Sequence, residues 1–114
     1  MKKGPLAEAQ VVQCLQEHGW PYAERRVMGG RHDRGDVSGI AGVVIEVKDH
    51  AKMQLAEWIG EAEREAMNGH AVGELMDLGI VVHKRRGKGN PLDWYASMSV
   101  RTLLALLTAY TKED

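Results

Sequence analysis

A single cysteine, Cys14, stands among the 114 residues, so no internal disulfide can form and no cysteine-based zinc site can be assembled. Flanked by Val11, Val12 and Leu15, it reads as a packing residue on a helix. Nowhere does an apolar run approach the roughly 18 residues that cross a bilayer. The opening MKKGPLAEAQ has lysines but no hydrophobic stretch, so a secretory signal is not expected and the cytosol is the default compartment. Neither G-x-x-x-x-G-K-[ST] nor G-x-S-x-G occurs, which argues against ATP use and serine hydrolysis. His18, His32, His50, His70 and His83 lack the H-E-x-x-H spacing of a histidine metal site; His32 could touch a phosphate or simply be surface. An excess of either charge is missing as well, the net charge being -1.

What is present is a charge asymmetry. Glu57, Glu61, Glu63, Glu65, Glu74 and Asp77 crowd one segment, while Arg25, Arg26, Arg31 and Arg34, and then Lys84, Arg85, Arg86 and Lys88, gather elsewhere. That distribution permits a positive face opposite a negative one, although each cluster alone is compatible with solvated surface. The length suits one domain over residues 1–114, without repeats or linkers. Pro5 fits the first turn of a helix running to about His18 and stopped by Gly19. Strands are expected over Trp20 to Val27, Asp36 to Ser38, Val43 to Lys48, Leu78 to Lys84 and Trp94 to Met98. Leu55, Ile59, Ala62 and Ala66 mark a helix from about Met53 to Met67, closed by Asn68 and Gly69. Ser99 is set to cap a last helix carrying Leu103, Leu104, Leu106 and Leu107. The predicted order is α-β-β-β-α-β-β-α, an α/β fold with a mixed central sheet flanked by helices.

The most strand-like segment, GDVSGIAGVVIEVKD, is also the most oddly charged. Alternation puts Val44, Glu46 and Lys48 on one face and Val43, Ile45 and Val47 on the other, with Glu46 and Lys48 about 7 Å apart. If the hairpin closes around Ile40, Ala41 and Gly42, Asp36 lies opposite Glu46 or one step off, within about 5 Å on one face. Two such carboxylates repel unless something positive lies between them, and a divalent cation or Lys48 could serve. The bland alternative is an exposed Glu46–Lys48 ion pair. Glu8 shares a helical stripe with Val11, Val12 and Leu15, all within about 60°, and so either ends that stripe in solvent or turns into a site. Gln54, one turn before Trp58, opens the helix after the hairpin, where Trp58 could equally be core.

Asp36, Glu46-Val47-Lys48 and Glu8, in an α-β-β-β-α-β setting, resemble the PD-(D/E)XK nuclease superfamily with its restriction-endonuclease-like core. Small size, the acid in the first helix and HGWPYAERR look most like archaeal Holliday junction resolvases and small phage-encoded resolvase-like nucleases. Gln54-x-x-x-Trp58 is similar to the glutamine-aromatic motif of the RecB-like branch. The likeness covers roughly residues 5 to 85; Gly35 stands where the family usually has proline, and Ala9 where junction resolvases often have a basic residue.

The resemblance implies that Asp36, Glu46 and the carbonyl of Val47 ligate Mg²⁺ or Mn²⁺, that Glu8 completes the shell, and that Lys48 orients the attacking water. Gln54 would be an accessory. Arg25, Arg26, Arg31, Arg34 and Lys52 are expected to meet DNA phosphates near the site, and Lys84, Arg85, Arg86 and Lys88 to form a second patch, with glycines letting both loops mould to a backbone.

The expected function is a Mg²⁺-dependent deoxyribonuclease resolving branched DNA as a homodimer, in a bacterial, archaeal or phage-infected cell. The alternatives are a nuclease on ends, flaps or single strands, and a non-catalytic DNA-binding module of the same fold. The leucine-rich last helix could pack on the sheet or form the dimer interface.

Overall fold

In the computed structural model of the chain, which describes residues 3–25, 36–71 and 78–112 (backbone alone for 69–71), the hydrophobic periods resolve into three helices and five strands. Helix α1 (Lys3–Glu17) ends where Gly19 takes a left-handed φ of 104°, which lets the Trp20 N–H fold back on the Leu15 carbonyl at 3.0 Å. There follow β1 (Glu24–Arg25), β2 (Val37–Ser38), β3 (Val43–Lys48), α2 (Leu55–Ala71), β4 (Leu78–His83), a 3₁₀ turn (Pro91–Asp93), β5 (Tyr95–Ser97) and α3 (Val100–Thr111). The strands lie side by side in chain order, and every pairing is antiparallel except β3 with β4. A parallel pair cannot be joined by a tight turn, and α2 lies in the β3–β4 connection.

Both faces of β3 are covered, so Val44, Ile45, Glu46 and Val47 are all buried. On one face Ala7 and Val11 of α1 pack with Val37, Ile45, Val47 and Trp94. On the other, Trp58 and Ala62 of α2 meet Val81. The second contact is close because β4 offers Gly79: a Cβ there would lie 2.6 Å from the Ala62 carbonyl carbon and oxygen.

Three sequence expectations need correction, and one left open is narrowed. The strand expected from Trp20 is only Glu24–Arg25 within the described residues, because the Ala23 N–H bonds the Trp20 carbonyl at 3.1 Å and closes a turn with Pro21 at its second position. Asn68 and Gly69 do not stop α2, which runs on to Ala71; one glycine costs a helix only about 1 kcal/mol. Gln54 lies outside α2 and caps it, its carbonyl accepting from the Trp58 N–H at 3.0 Å. In α3, properly capped by Ser99 on the Thr102 N–H at 3.2 Å, Leu103, Leu104 and Leu107 are 42%, 58% and 48% exposed rather than packed on the sheet. No helix among the described residues is long and apolar enough to cross a membrane.

Candidate functional site

Asp36 stands one residue before β2, where the paired part of the hairpin ends. Its N–H donates to the Ile45 carbonyl at 2.9 Å and its Oδ2 accepts from the Val47 N–H at 2.8 Å, so one aspartate grips β3 on both sides of Glu46. Because Val37 pairs with Ile45, the next step along the hairpin brings Asp36 to Glu46, as the alternation predicts. Burial, and then the charge of Glu46, push the Asp36 carboxyl up to about 7; the Val47 N–H opposes this, Glu8 adds to it, and Lys48 opposes it. Glu8, Glu46 and Lys48 thus all act on one carboxyl group.

They reach it from both layers. Glu8 is half-buried on α1, beside Ala7 and close to the sheet face of Val37 and Val47. Glu46 and Lys48 belong to the opposite face, since Glu46 pairs with Val81, the β4 residue that meets α2.

Lys48 is held firmly on the α2 side. Its Nζ lies 2.8 Å from Glu61 Oε1 and 3.7 Å from Glu46 Oε1. Burial works against its charge, but the hydrogen bond and charge of Glu61, then the charges of Glu46 and Asp36, outweigh it and hold the ammonium above its ordinary range. Glu61 and Glu65, which the sequence presents as part of an acidic run, stand beside Glu46. Carboxylate oxygens of Glu46, Glu61 and Glu65 lie within 4.8 Å of one another. The signal was legible: Gln54, Trp58, Glu61 and Glu65 recur at i, i+4, i+7 and i+11, so the stripe continues past the tryptophan. Trp58 itself is core, 3% exposed, while Gln54 is exposed.

The donor set suits a hard divalent ion. Asp36, Glu46 and Glu8 offer only oxygen, and on an extended strand a residue's N–H and C=O leave on the same edge, so the Val47 carbonyl faces the Asp36 side. Burial first, and then repulsion by Glu46, raise the Asp36 value, and a Mg²⁺ or Mn²⁺ ion would favour the charged carboxylate against both. Among the described residues, the carboxylates close enough together to share an ion are Glu46, Glu61 and Glu65 rather than the expected Asp36, Glu46 and Glu8, and Lys48 already supplies a cation to two of that trio.

The basic residues separate into groups. Arg25 reaches the site, its Nε donating to Glu8 Oε1 at 3.2 Å. Arg26, Arg31 and Arg34, with His32, lie outside the described residues. Lys52 is exposed after β3, and Arg86 and Lys88 are exposed after β4. Lys84 lies 5.6 Å from the Trp94 ring centre, and Arg85 4.8 Å from that of Tyr95. The second basic loop is pinned rather than pliable: Trp94 Nε1 donates to the Lys88 carbonyl at 2.8 Å and Arg85 Nη1 to the Asp93 carbonyl at 3.1 Å. Compared with known proteins, the chain matches no family model, no curated protein and no solved structure.

Proposed function

We propose that the chain is a metal-dependent DNA endonuclease with a PD-(D/E)XK-type site, structure-selective on branched DNA and working as a homodimer. The observation that carries this reading is Asp36: a carboxyl tied across Glu46, pushed up to about 7, with Glu8 and Lys48 acting on it. Burying two carboxyl groups this close works against the charge of both, so the pair is a cost to the fold in the absence of a cation.

Asp36, Glu46, the Val47 carbonyl and Glu8 would hold Mg²⁺ or Mn²⁺. When bound, the ion polarises the scissile phosphate and makes a nearby water more acidic. Lys48 keeps its proton through Glu61 and Glu46, and its ammonium steadies the attacking water and the charge growing on the phosphate. The water oxygen would join phosphorus as the bond to the leaving sugar oxygen breaks, the water giving up a proton to solvent and the leaving oxygen taking one from solvent. Arg25 holds Glu8 in place, while Lys52, Lys84, Arg85, Arg86 and Lys88 neutralise phosphates on either side. Cutting two strands symmetrically calls for two copies, and the exposed leucines of α3 suit such a contact.

The test is incubation with four-way, linear duplex and single-stranded DNA, in Mg²⁺ or in EDTA. Mg²⁺-dependent cutting favouring the four-way substrate is expected. Metal-independent binding with no cutting of any substrate would instead establish a non-catalytic module. A second reading, action on ends, flaps or single strands, is favoured by an open basic pocket at the end of β3.

A further inference from the structure

Strands β3 and β4 run parallel and finish together, with Lys48 paired to His83 and the Lys84 N–H on the Lys48 carbonyl at 3.0 Å. Beyond their ends opens a pocket of about 460 Å³, within the range of roughly 300–1,000 Å³ typical of small-ligand sites. It starts one residue past the candidate lysine, yet none of the carboxylates of the candidate metal centre lines it.

Its rim is basic. Lys3, Lys84, Arg85 and Arg86 line it, and the single acid among its lining residues, Asp49, already faces Lys3 at 4.0 Å. A divalent cation would be repelled there, and an anion drawn in. Its other feature is flat rings. His50, Trp58, His83 and Tyr95 form a chain with successive centroids 5.5, 5.8 and 5.7 Å apart, and three of them, all but Trp58, line the pocket. His83 is buried, its Nε2 2.8 Å from Ser97 Oγ, and burial lowers its pKa, which favours an uncharged ring. Arg85 lies over the Tyr95 ring, so a positive plane and an aromatic plane meet at the pocket mouth.

An inorganic anion would need only the rim, and a purely apolar ligand only the rings. We propose that this pocket seats one unpaired nucleotide of a nucleic-acid strand, its base against Tyr95 and His50 and its phosphate on Arg86 and Lys84. The proposal rests on the nuclease reading for its substrate class, and deepens it: a base stacked inside a duplex cannot present its face to a ring, whereas one at an end, flap or branch point can. The pocket would place that nucleotide next to Lys48.

The test needs neither metal nor turnover. In EDTA, amide NMR spectra of the wild-type chain are followed during titration with deoxyadenosine 5′-monophosphate, inorganic phosphate and deoxyadenosine. The nucleotide is expected to shift the amides of Ala51, Gly87 and Tyr95 and to bind about tenfold more tightly than phosphate, the effect of one stacked base. Tyr95→Leu should reduce that preference, and Arg86→Gln should weaken the nucleotide and phosphate alike; both residues are exposed, so their amide spectra should otherwise match the wild type.

Phosphate binding as tightly as the nucleotide, absence of binding, or unchanged affinity in both variants would overturn the proposal. The two readings fail separately. Glu46→Ala should still bind the nucleotide while losing cutting, whereas Mg²⁺-dependent cutting without nucleotide binding would defeat the pocket alone.

Discussion

At Asp36 two demands collide. The Val47 N–H favours a charged carboxylate, while burial and Glu46 favour a protonated one, and the second pair wins. The folded chain therefore holds a proton that the unfolded chain releases above about 3.8. This contribution to stability is complete below that value and is lost as pH rises through about 7. In EDTA, Asp36→Asn keeps a side-chain oxygen for the Val47 N–H and removes the titration. It should be the more stable protein at pH 8, by up to about 4 kcal/mol, and the gap should close towards pH 4 in urea melts. Added Mg²⁺ should raise the wild-type melting temperature and leave that of Asp36→Asn nearly unchanged. Glu46→Ala and Lys48→Ala should abolish cutting but retain DNA binding by gel shift; loss of folding in either would point to a structural role. Asp36, Glu46 and Lys48 were readable because alternation on a strand is a local property. Glu8 is readable as a choice between solvent and site, and the packing of α1 on Ile45 and Val47 leaves it half-buried, paired with Arg25 and near enough for its charge to act on Asp36.

Among the elements, α2 matters most to the site, because it supplies Glu61 to Lys48. Glu61→Gln keeps the shape and weakens the ion pair. It should lower kcat by roughly 10–100-fold, as loss of a supporting partner commonly does, with little change in KM. It should also bring the alkaline limb of the pH–rate profile to lower pH, since the ammonium loses its chief support; an unmoved limb would mean that Lys48 does not act through its charge. The approach of α2 depends on Gly79. Gly79→Ala places a methyl group against the Ala62 backbone and should cost about 1–3 kcal/mol in urea unfolding. The type of α2 and nearly all of its apolar stripe were legible from Leu55, Ile59, Ala62 and Ala66. The spacing of Glu61 and Glu65 puts them on the Trp58 stripe, but an acidic residue is usually solvated, and only the tertiary structure pairs Glu61 with Lys48 and sets Glu65 beside Glu46 and Glu61.

Across the whole molecule, the acidic centre, the basic pocket and the leucine face of α3 occupy different parts of one small fold. If α3 joins two copies, Leu104→Glu with Leu107→Glu should convert a sedimenting dimer to a monomer without changing the helical content seen by circular dichroism. Both residues are about half exposed, so folding should survive the change. A wild-type chain that already sediments as a monomer would remove the dimer from the proposal.

Period and capping residues in the sequence by themselves determined the order α-β-β-β-α-β-β-α, the two faces of β3 and the cap at Ser99, because each depends on neighbours a few positions away. Only the tertiary structure decided which faces meet. It buried Trp94 with α1, paired Glu61 with Lys48 and set Glu65 beside Glu46 and Glu61, left Leu103, Leu104 and Leu107 of α3 about half exposed and opened a ringed pocket beyond β3 and β4. Those contacts join residues distant in the chain, and periodicity records that a face exists without recording its partner.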